Sequence, residues 1–313
     1  MQRWRSLSDV PKGWGRSVVA IGVFDGVHAG HRAIVARAVA AAKALGASSV
    51  VVTFDPHPAV VVRPDAAPLL LGDVEARLDL LSSLDVDATL VLPFDREMSS
   101  WTAEEFVQRL LVDCLHVRRV VVGENFRFGN RALGDVALLR QLGDAGDFDV
   151  DAVSLVGGTD DAVSSTLVRG LIADGDVTAA ADALGRPYGI SGVVVRGDAR
   201  GRELGFPTAN IALPPGIAVP ADGVYAGWLV RADGSRWPAA ISVGTNPTFD
   251  GVDRRVEAYA LDVEFDLYDE RITIEFAERL RGMERFAGID ELVAQMRNDV
   301  EAVRAAVPLH LRR

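Results

Sequence analysis

The sequence predicts an α/β chain in two parts: an open parallel sheet covered by helices, then a small antiparallel β-barrel closed by a terminal helix. Three observations predict it. Apolar runs alternate with helical patterns up to Leu184, the mark of a parallel sheet with crossover helices. From Tyr188 onward the pattern changes to short β-rich runs separated by Gly, Pro, Asp and Asn. The length of 313 residues, 49% of them hydrophobic, suffices for one large or two ordinary cores.

The first half is built in order. Ser17 to Phe24 is the first strand, followed by a helix over Gly30 to Leu45. Ser49 to Phe54 is the second strand, and a helix over Asp73 to Leu84 has Asp73 as its natural N-cap. Ala88 to Pro93 is the third strand, and the helix over Thr102 to Cys114 opens with Thr102 and Glu105 in capping-box spacing. Arg118 to Gly123 is the fourth strand. The strands read as nearly continuous hydrophobics, so both faces of the sheet are expected to be covered. Helices over Ser165 to Ala173 and Val177 to Leu184 close this half before the Gly185-Arg186-Pro187 break. Domains over residues 1–186 and 187–313, joined by a linker of a few residues, are expected.

In the second half the strands are Ile190 to Arg196, Val224 to Arg231, Trp237 to Val243, Arg255 to Phe265 and Arg271 to Arg279. A last helix over Ile289 to Ala306 carries Leu292, Met296, Val300 and Val303 at three- and four-residue spacing, which packs it against the barrel.

Composition narrows the function classes. A net charge of -11, from 33 Lys+Arg against 44 Asp+Glu, argues against sequence-independent nucleic-acid binding, which needs a broad basic surface. Phosphorylated small molecules need only a local cluster of donors. The single cysteine, Cys114, excludes an internal disulfide framework and a cysteine-built zinc site, and is expected in a buried helix position. No apolar run approaches the roughly 18 residues of a membrane span, and Met1 to Trp14 is polar, so no membrane association and a cytoplasmic location are expected. Self-association, if any, is expected to be weak. Only Lys12 and Lys43 represent lysine, so chemistry that grips phosphate with a lysine has almost no candidates.

After the first strand comes Gly22-Val23-Phe24-Asp25-Gly26-Val27-His28-Ala29-Gly30-His31, running straight into a helix. Glycines let the backbone approach a phosphate, and helix N-terminal amides supply positive potential. His28 and His31, three apart, can face the same anion and donate to a triphosphate whose charge shifts during transfer. Two histidines near a turn are ordinarily surface residues; the strand-glycine-helix context favours the functional reading. No Gly-x-x-x-x-Gly-Lys-Ser/Thr is present, and the glycine spacing does not fit a dinucleotide fingerprint. Ser164-Ser165-Thr166-Leu167-Val168-Arg169 forms a second anion cradle, with hydroxyls and free amides at a helix start and an arginine one turn later. Thr53-Phe54-Asp55-Pro56-His57-Pro58 and Gly123-Glu124-Asn125-Phe126-Arg127-Phe128-Gly129 both follow strands, at carboxyl ends where open α/β sheets bind ligands.

The histidine segment resembles the His-x-Gly-His signature of the nucleotidyltransferase superfamily, and the four segments in order resemble the FAD synthetase module of the bacterial bifunctional riboflavin kinase/FAD synthetase family. That resemblance implies a Rossmann-like sheet, with His28, His31 and Arg169 on the ATP phosphates, Ser164 and Thr166 assisting, and Gly22, Phe24 and Asp25 in the ATP-binding loop. It implies Asn125 near phosphates and metal, and Asp55, His57, Pro58 and Phe128 toward FMN. The family commonly carries a basic residue two before the Ser-Ser-Thr; here that position is Ala162, preceded by Asp160 and Asp161.

The second half offers Gly197-Asp198-Ala199-Arg200-Gly201 and Gly205-Phe206-Pro207-Thr208-Ala209-Asn210. Thr208 and Asn210, two apart in an extended segment, share one face and offer oxygens that suit Mg²⁺ alongside substrate phosphates. This segment resembles the Pro-Thr-Ala-Asn motif of riboflavin kinases, and the likeness extends through Asp222 to Tyr225, Gly244 to Phe249, Arg255 to Tyr259 and Leu280 to Phe286. It implies a kinase ATP site over Gly197, Gly201, Gly205, Pro207, Thr208 and Asn210, with Thr208 and Asn210 holding Mg-ATP. It implies Glu257 as the general base for the riboflavin 5′-hydroxyl, with Arg279, Arg281 and Glu284 near the flavin. By residue type alone Asp262, Glu264 and Asp266 compete with Glu257.

The expected activity is two-step: riboflavin plus ATP gives FMN in the barrel, then FMN plus ATP gives FAD and pyrophosphate in the sheet domain. Two alternatives stand beside it. One is a single-activity adenylyltransferase whose barrel only senses flavin; the other is a non-enzymatic scaffold, which would bind no nucleotide.

Overall fold

Burial of both faces of a strand forces a continuous apolar run, and strand β2 (Ser17–Ile21) is buried at all five positions. The computed structural model describes residues 1–154, 163–197, 201, 204–248, 251–263 and 266–307, with backbone alone at 246–248 and 251–253. Contacts divide the chain into two units: Met1–Pro68 with Val74–Ser164, and Leu69–Asp73 with Ser165–Arg313.

In the first unit β2 joins β1 (Gln2–Trp4), β3 (Ser48–Asp55), β4 (Ala88–Pro93), β5 (Val117–Gly123) and β6 (Asp149–Val153). All pairings are parallel, in the order β1-β4-β3-β2-β5-β6. The four expected strands are the inner four. The two edge strands went unpredicted because β1 has three residues and β6, Asp149–Val153, is punctuated by aspartates with no position fully buried. Alternation along the strands feeds two cores. Val18 and Ala20 face one side with Val35, Ala38 and Ala42 of helix α1 (Ala29–Leu45). Val19 and Ile21 face the other with Leu110, Leu111 and Leu115.

Order reverses where β2 sits between β3 and β5, so the crevice at the carboxyl ends of β2 and β5 is the switch point at which such sheets bind ligands. Around the sheet lie α2 (Pro58–Val62), α3 (Val74–Ser82), α4 (Arg96–Ser100), α5 (Ala103–Phe106) and α6 (Val136–Gly146). Helix α5 carries the expected Thr102–Glu105 capping box, then widens into a π-helical stretch, Val107–Cys114. Cys114 is half-buried rather than fully buried, and burial pushes its thiol pKa up.

The second unit begins earlier in the chain than the Gly185 break. Helices α7 (Ser165–Asp174) and α8 (Val177–Leu184) belong to it, α8 packing on barrel strands, although the sequence pattern groups both with the sheet. Leu69–Asp73 belongs to it too: Leu70 N donates to Gly216 O at 2.7 Å, Ala218 N donates to Leu70 O at 2.8 Å, and Asp73 pairs with Arg271.

Strands β7 (Tyr188–Val195), β8 (Ala209–Ala212), β9 (Gly223–Arg231), β10 (Arg236–Thr248), β11 (Gly251–Ala260) and β12 (Arg271–Arg281) close an antiparallel barrel in the order β10-β11-β8-β7-β12-β9. Every second residue points inward, burying Tyr188, Ile190 and Val194 on β7 and Ile272, Ile274 and Phe276 on β12. β11 stops at Ala260, short of the expected Phe265, where Asp262 turns the chain at φ 60°. The terminal helix α9 (Ile289–Ala306) has the expected bounds. Val300 and Val303 pack on Trp228, Ala226 and Leu280, whereas Leu292 and Met296 line a cavity.

Candidate active sites

Between β2 and α1 the backbone turns through the left-handed region at Phe24 (φ 52°), Gly26 (φ 76°) and Val27 (φ 41°). A β-branched residue there costs on the order of 1–3 kcal/mol and persists only where its surroundings over-determine it. Here Phe24 and Val27 are anchored in the core, and Asp25 is 2% exposed. Phe24 thus contributes its backbone to the loop, its ring being buried.

The turn delivers His28 to the N-cap of α1, where its Nδ1 accepts from His31 N at 3.4 Å. The two imidazoles stack, centroids 3.6 Å apart and 22° between planes, and the Phe24 ring meets His31 edge-on at 5.3 Å. Gly30 permits this: a Cβ there would lie 3.3 Å from the His28 ring. Burial first, then the charges of His28 and Arg77, holds the His31 pKa well below the usual 6.5, so its ring is neutral at pH 7. With Nδ1 of His31 buried and making no hydrogen bond, Nε2 is the nitrogen left to donate to an anion.

Asn125 follows β5 and is exposed, its amide folded back over Gly123 on the other side of the switch point. Ser164 is the last residue of the first unit; Thr166, exposed, and Arg169 lie on α7, where Arg169 Nε donates to Leu69 O at 2.6 Å. Asp160, Asp161 and Ala162 lie outside the described residues.

Beside this loop the first unit encloses a cavity of 840 Å³ lined by Phe54, Phe94, Trp101, Phe106, Phe126 and Phe128, together with Gly22 and Pro58. Phe126 and Phe128 stack at 5.5 Å, and Phe54 meets Phe94 edge-on at 5.8 Å. The volume and aromatic walls fit a planar heteroaromatic ring. Of the residues expected toward FMN, Pro58 and Phe128 line the cavity. Asp55 ends β3 exposed, and His57 caps α2, its Nδ1 accepting from Ala59 N at 3.0 Å; neither lines it. Phe94, Trp101 and Phe106 were missed, because an aromatic residue does not show in sequence whether it packs in a core or lines a cavity until its neighbours in space are known.

In the second unit β8 and β11 pair Asn210 with Glu257, and Thr208 Oγ1 donates to Glu257 Oε2 at 3.2 Å. The expected sharing of a face is therefore met. A Cβ at Gly197 would fall 2.4 Å from the Asn210 amide, so any side chain there would displace that amide from its present place. Glu257 and Thr208 line a cavity of 260 Å³ with Gly201, Arg281, Glu284 and Met296. Thr208 also lines a second cavity, of 330 Å³, with Gly205, Pro207, Leu267 and Tyr268. Two clefts thus meet at one threonine beside one half-buried carboxylate.

Two of the three competing carboxylates are engaged by other partners. Asp262 takes a two-pronged ion pair from Arg304 at 2.7 Å, and Asp266 accepts from Tyr268 N at 3.4 Å. Glu264, Asp198, Ala199, Arg200 and Phe249 lie outside the described residues. Among the described residues no three His, Cys, Asp or Glu side chains gather as a metal cluster. The all-oxygen set of Thr208, Asn210 and Glu257 suits Mg²⁺, which takes few protein ligands and shares substrate phosphates.

Arg281, which lines the 260 Å³ cavity, is held by Asp299 of α9 through two bonds of 2.9 and 2.7 Å, and Gln295 donates to the same carboxylate at 2.9 Å. Arg279 turns away, donating to Asp222 O at 2.8 Å, and does not line that cavity. Asp299 was missed, although an acid seven residues after Leu292 on the apolar stripe of a helix is a readable signal. Asp299→Ala leaves Arg281 without its anchor, and the KM for the substrate in this cavity is expected to rise about tenfold, the effect of losing one charge-assisted pair; steady-state kinetics on the purified variant check it.

Family models agree with this division. One described as FAD synthetase matches residues 10–167, and one described as riboflavin kinase matches residues 184–307. The bifunctional riboflavin kinase/FMN adenylyltransferase of Escherichia coli K12 is 37% identical over 282 residues, 90% of each chain. That of Pseudomonas fluorescens is 39% identical over 306 residues, 97% of each chain. A crystal structure described as a macrolide-efflux protein from Streptococcus pneumoniae superposes with a TM-score of 0.86 at 32% identity, over 96% of this chain and 98% of that one. In this chain no described helix is long and apolar enough to cross a membrane.

Proposed function

Because the chain belongs to the bifunctional riboflavin kinase/FMN adenylyltransferase family, with an FAD synthetase module followed by a riboflavin kinase module, we propose how its residues divide the two reactions. We assign residues 1–186 to the adenylyltransferase and residues 187–313 to the kinase by their motifs, although α7 and α8 belong to the barrel's unit in the fold. In the kinase, ATP enters along Gly197, Gly201, Gly205, Pro207, Thr208 and Asn210, and riboflavin fills the 260 Å³ cavity beside Arg281 and Glu284. Glu257 accepts the 5′-hydroxyl proton as that oxygen attacks the γ-phosphate, ADP leaves, and FMN is released. The observation that carries this reading is the Thr208–Glu257 contact at the meeting of the two cavities.

In the adenylyltransferase, the flavin ring lies among Phe54, Phe126 and Phe128. His28, His31, the first amides of α1 and Asn125 receive ATP phosphates, assisted by Ser164, Thr166 and Arg169. An FMN phosphate oxygen attacks the α-phosphate, pyrophosphate leaves, and FAD forms; the neutral His31 imidazole donates to oxygens that gain charge during the transfer. Mg²⁺, held with the phosphates by Thr208 and Asn210 in one site and near Asn125 in the other, supplies charge neutralisation when bound. We place this acidic enzyme in the cytoplasm, acting on small molecules without nucleic acid or membrane and self-associating weakly at most.

Purified protein incubated with riboflavin and Mg-ATP is expected to yield FMN and then FAD by chromatography. Chelation with EDTA is expected to stop both steps. Absence of both products in the presence of Mg-ATP sinks the reading.

A further inference from the structure

Arg77 of α3 is 3% exposed, so its guanidinium is buried, with Nε making no hydrogen bond, and what its Nη1 donates to matters all the more. Its Nη1 donates to the Thr53 hydroxyl at 3.0 Å and to the Phe54 carbonyl at 2.9 Å. Thr53, at 0% exposure in the middle of the sheet, donates that hydroxyl in turn to the Val23 carbonyl at 2.8 Å. A hydroxyl can serve both bonds because it carries one donor and two lone pairs. A line of guanidinium, hydroxyl and carbonyl therefore runs from α3 across β3 to the loop between β2 and α1. Val23 immediately precedes the left-handed turn at Phe24, Gly26 and Val27 that sets His28 at the helix cap. Phe54, Arg77's other partner, is a wall of the 840 Å³ cavity, so one side chain is tied to both halves of the site.

We propose that Arg77 is a positioning residue for FAD formation: acting through Thr53, it fixes the Val23 carbonyl and with it the turn that presents His28 and His31 to the ATP phosphates. This rests on the reading of His28 and His31 as phosphate ligands. Arg77 touches no substrate in this role. Its charge also bears on His31, as one of the influences that keep the ring neutral.

The test compares Arg77→Met, Thr53→Val, their double variant, Arg77→Lys and His28→Ala in the full chain, each assayed well below its own Tm. Riboflavin kinase activity of the same samples is the internal reference. The expected result for Arg77→Met and for Thr53→Val is a fall in kcat for FAD formation of about tenfold or more, with the KM for FMN little changed, as misplacement of reacting groups produces. The double variant is expected to be no worse than the worse single one, because both cut the same line. Lysine, keeping the charge and one donor, is expected to recover part of the rate. A purely structural role would lower Tm and leave kcat of the folded enzyme unmoved. Thr53→Val keeps the volume of the side chain, so it decides the matter should Arg77→Met fold poorly. Wild-type kcat in Thr53→Val and in any folded Arg77→Met, with loss in His28→Ala, overturns the positioning role alone. Wild-type kcat in His28→Ala as well overturns the reading of the site and the inference with it.

Discussion

Glu257→Gln is expected to abolish FMN formation from riboflavin and to leave FAD formation from supplied FMN intact. Glutamine keeps the shape and an oxygen that can accept from Thr208 Oγ1, so the 3.2 Å contact and the pairing with Asn210 survive. What disappears is the capacity to take a proton. A positioned general base contributes on the order of 10²–10⁴ in rate. Asp262 is engaged by Arg304 and Asp266 by the Tyr268 amide, so neither is placed to replace it. The two half-reactions are assayed separately by chromatography. Survival of both at wild-type rates means that Glu257 is not the base.

The second large effect is expected at the histidine pair. Replacing His28 with Ala removes the N-cap acceptor of α1 and the stacking partner of His31, and with them the phosphate donor proposed above. FAD formation is expected to fall by about 10²–10³, the usual loss when a preorganised donor to developing charge is removed, while riboflavin phosphorylation is retained. Alanine at an N-cap costs about 1 kcal/mol, so the fold is expected to survive. Equal losses in both activities count against the assignment.

His31 adds a pH signature. Its pKa in the folded chain is depressed, by burial first and then by the charges of His28 and Arg77. Above pH 6.5 the ring is neutral whether the chain is folded or not, and it contributes no pH dependence. Below 6.5 the unfolded chain binds a proton that the folded chain refuses, so stability falls with pH until the depressed folded value is reached. His31→Gln is expected to flatten that part of the decline in Tm measured from about pH 7 downward. An unchanged slope in the variant counts against a buried neutral ring.

Much of the chain was legible because its signals are local. The inner strands carry uninterrupted apolar stretches, the capping box of α5 lies within four residues, and the stripe of α9 lies on one helix, so their types and most bounds follow from neighbours in sequence. The loop between β2 and α1 was legible because strand, glycines, histidines and helix start are contiguous. Strands β1 and β6 were not, since an edge strand needs neither length nor a continuous apolar run, and α6 went unread between them.

The sequence by itself thus determined the two-part architecture, the family and the residues that carry its motifs, all short-range properties. Only the tertiary structure decided that α7, α8 and Leu69–Asp73 belong to the barrel's unit, because the choice of partner for an apolar face is made by residues distant in sequence. It alone separated Glu257 from Asp262 and Asp266, turned Arg279 from the cavity that Arg281 lines, and gathered Phe94, Trp101 and Phe106 around one cavity. The reason is common to all of them: a side chain's role depends on which groups lie within hydrogen-bond or van der Waals reach, and folding rather than spacing sets that distance.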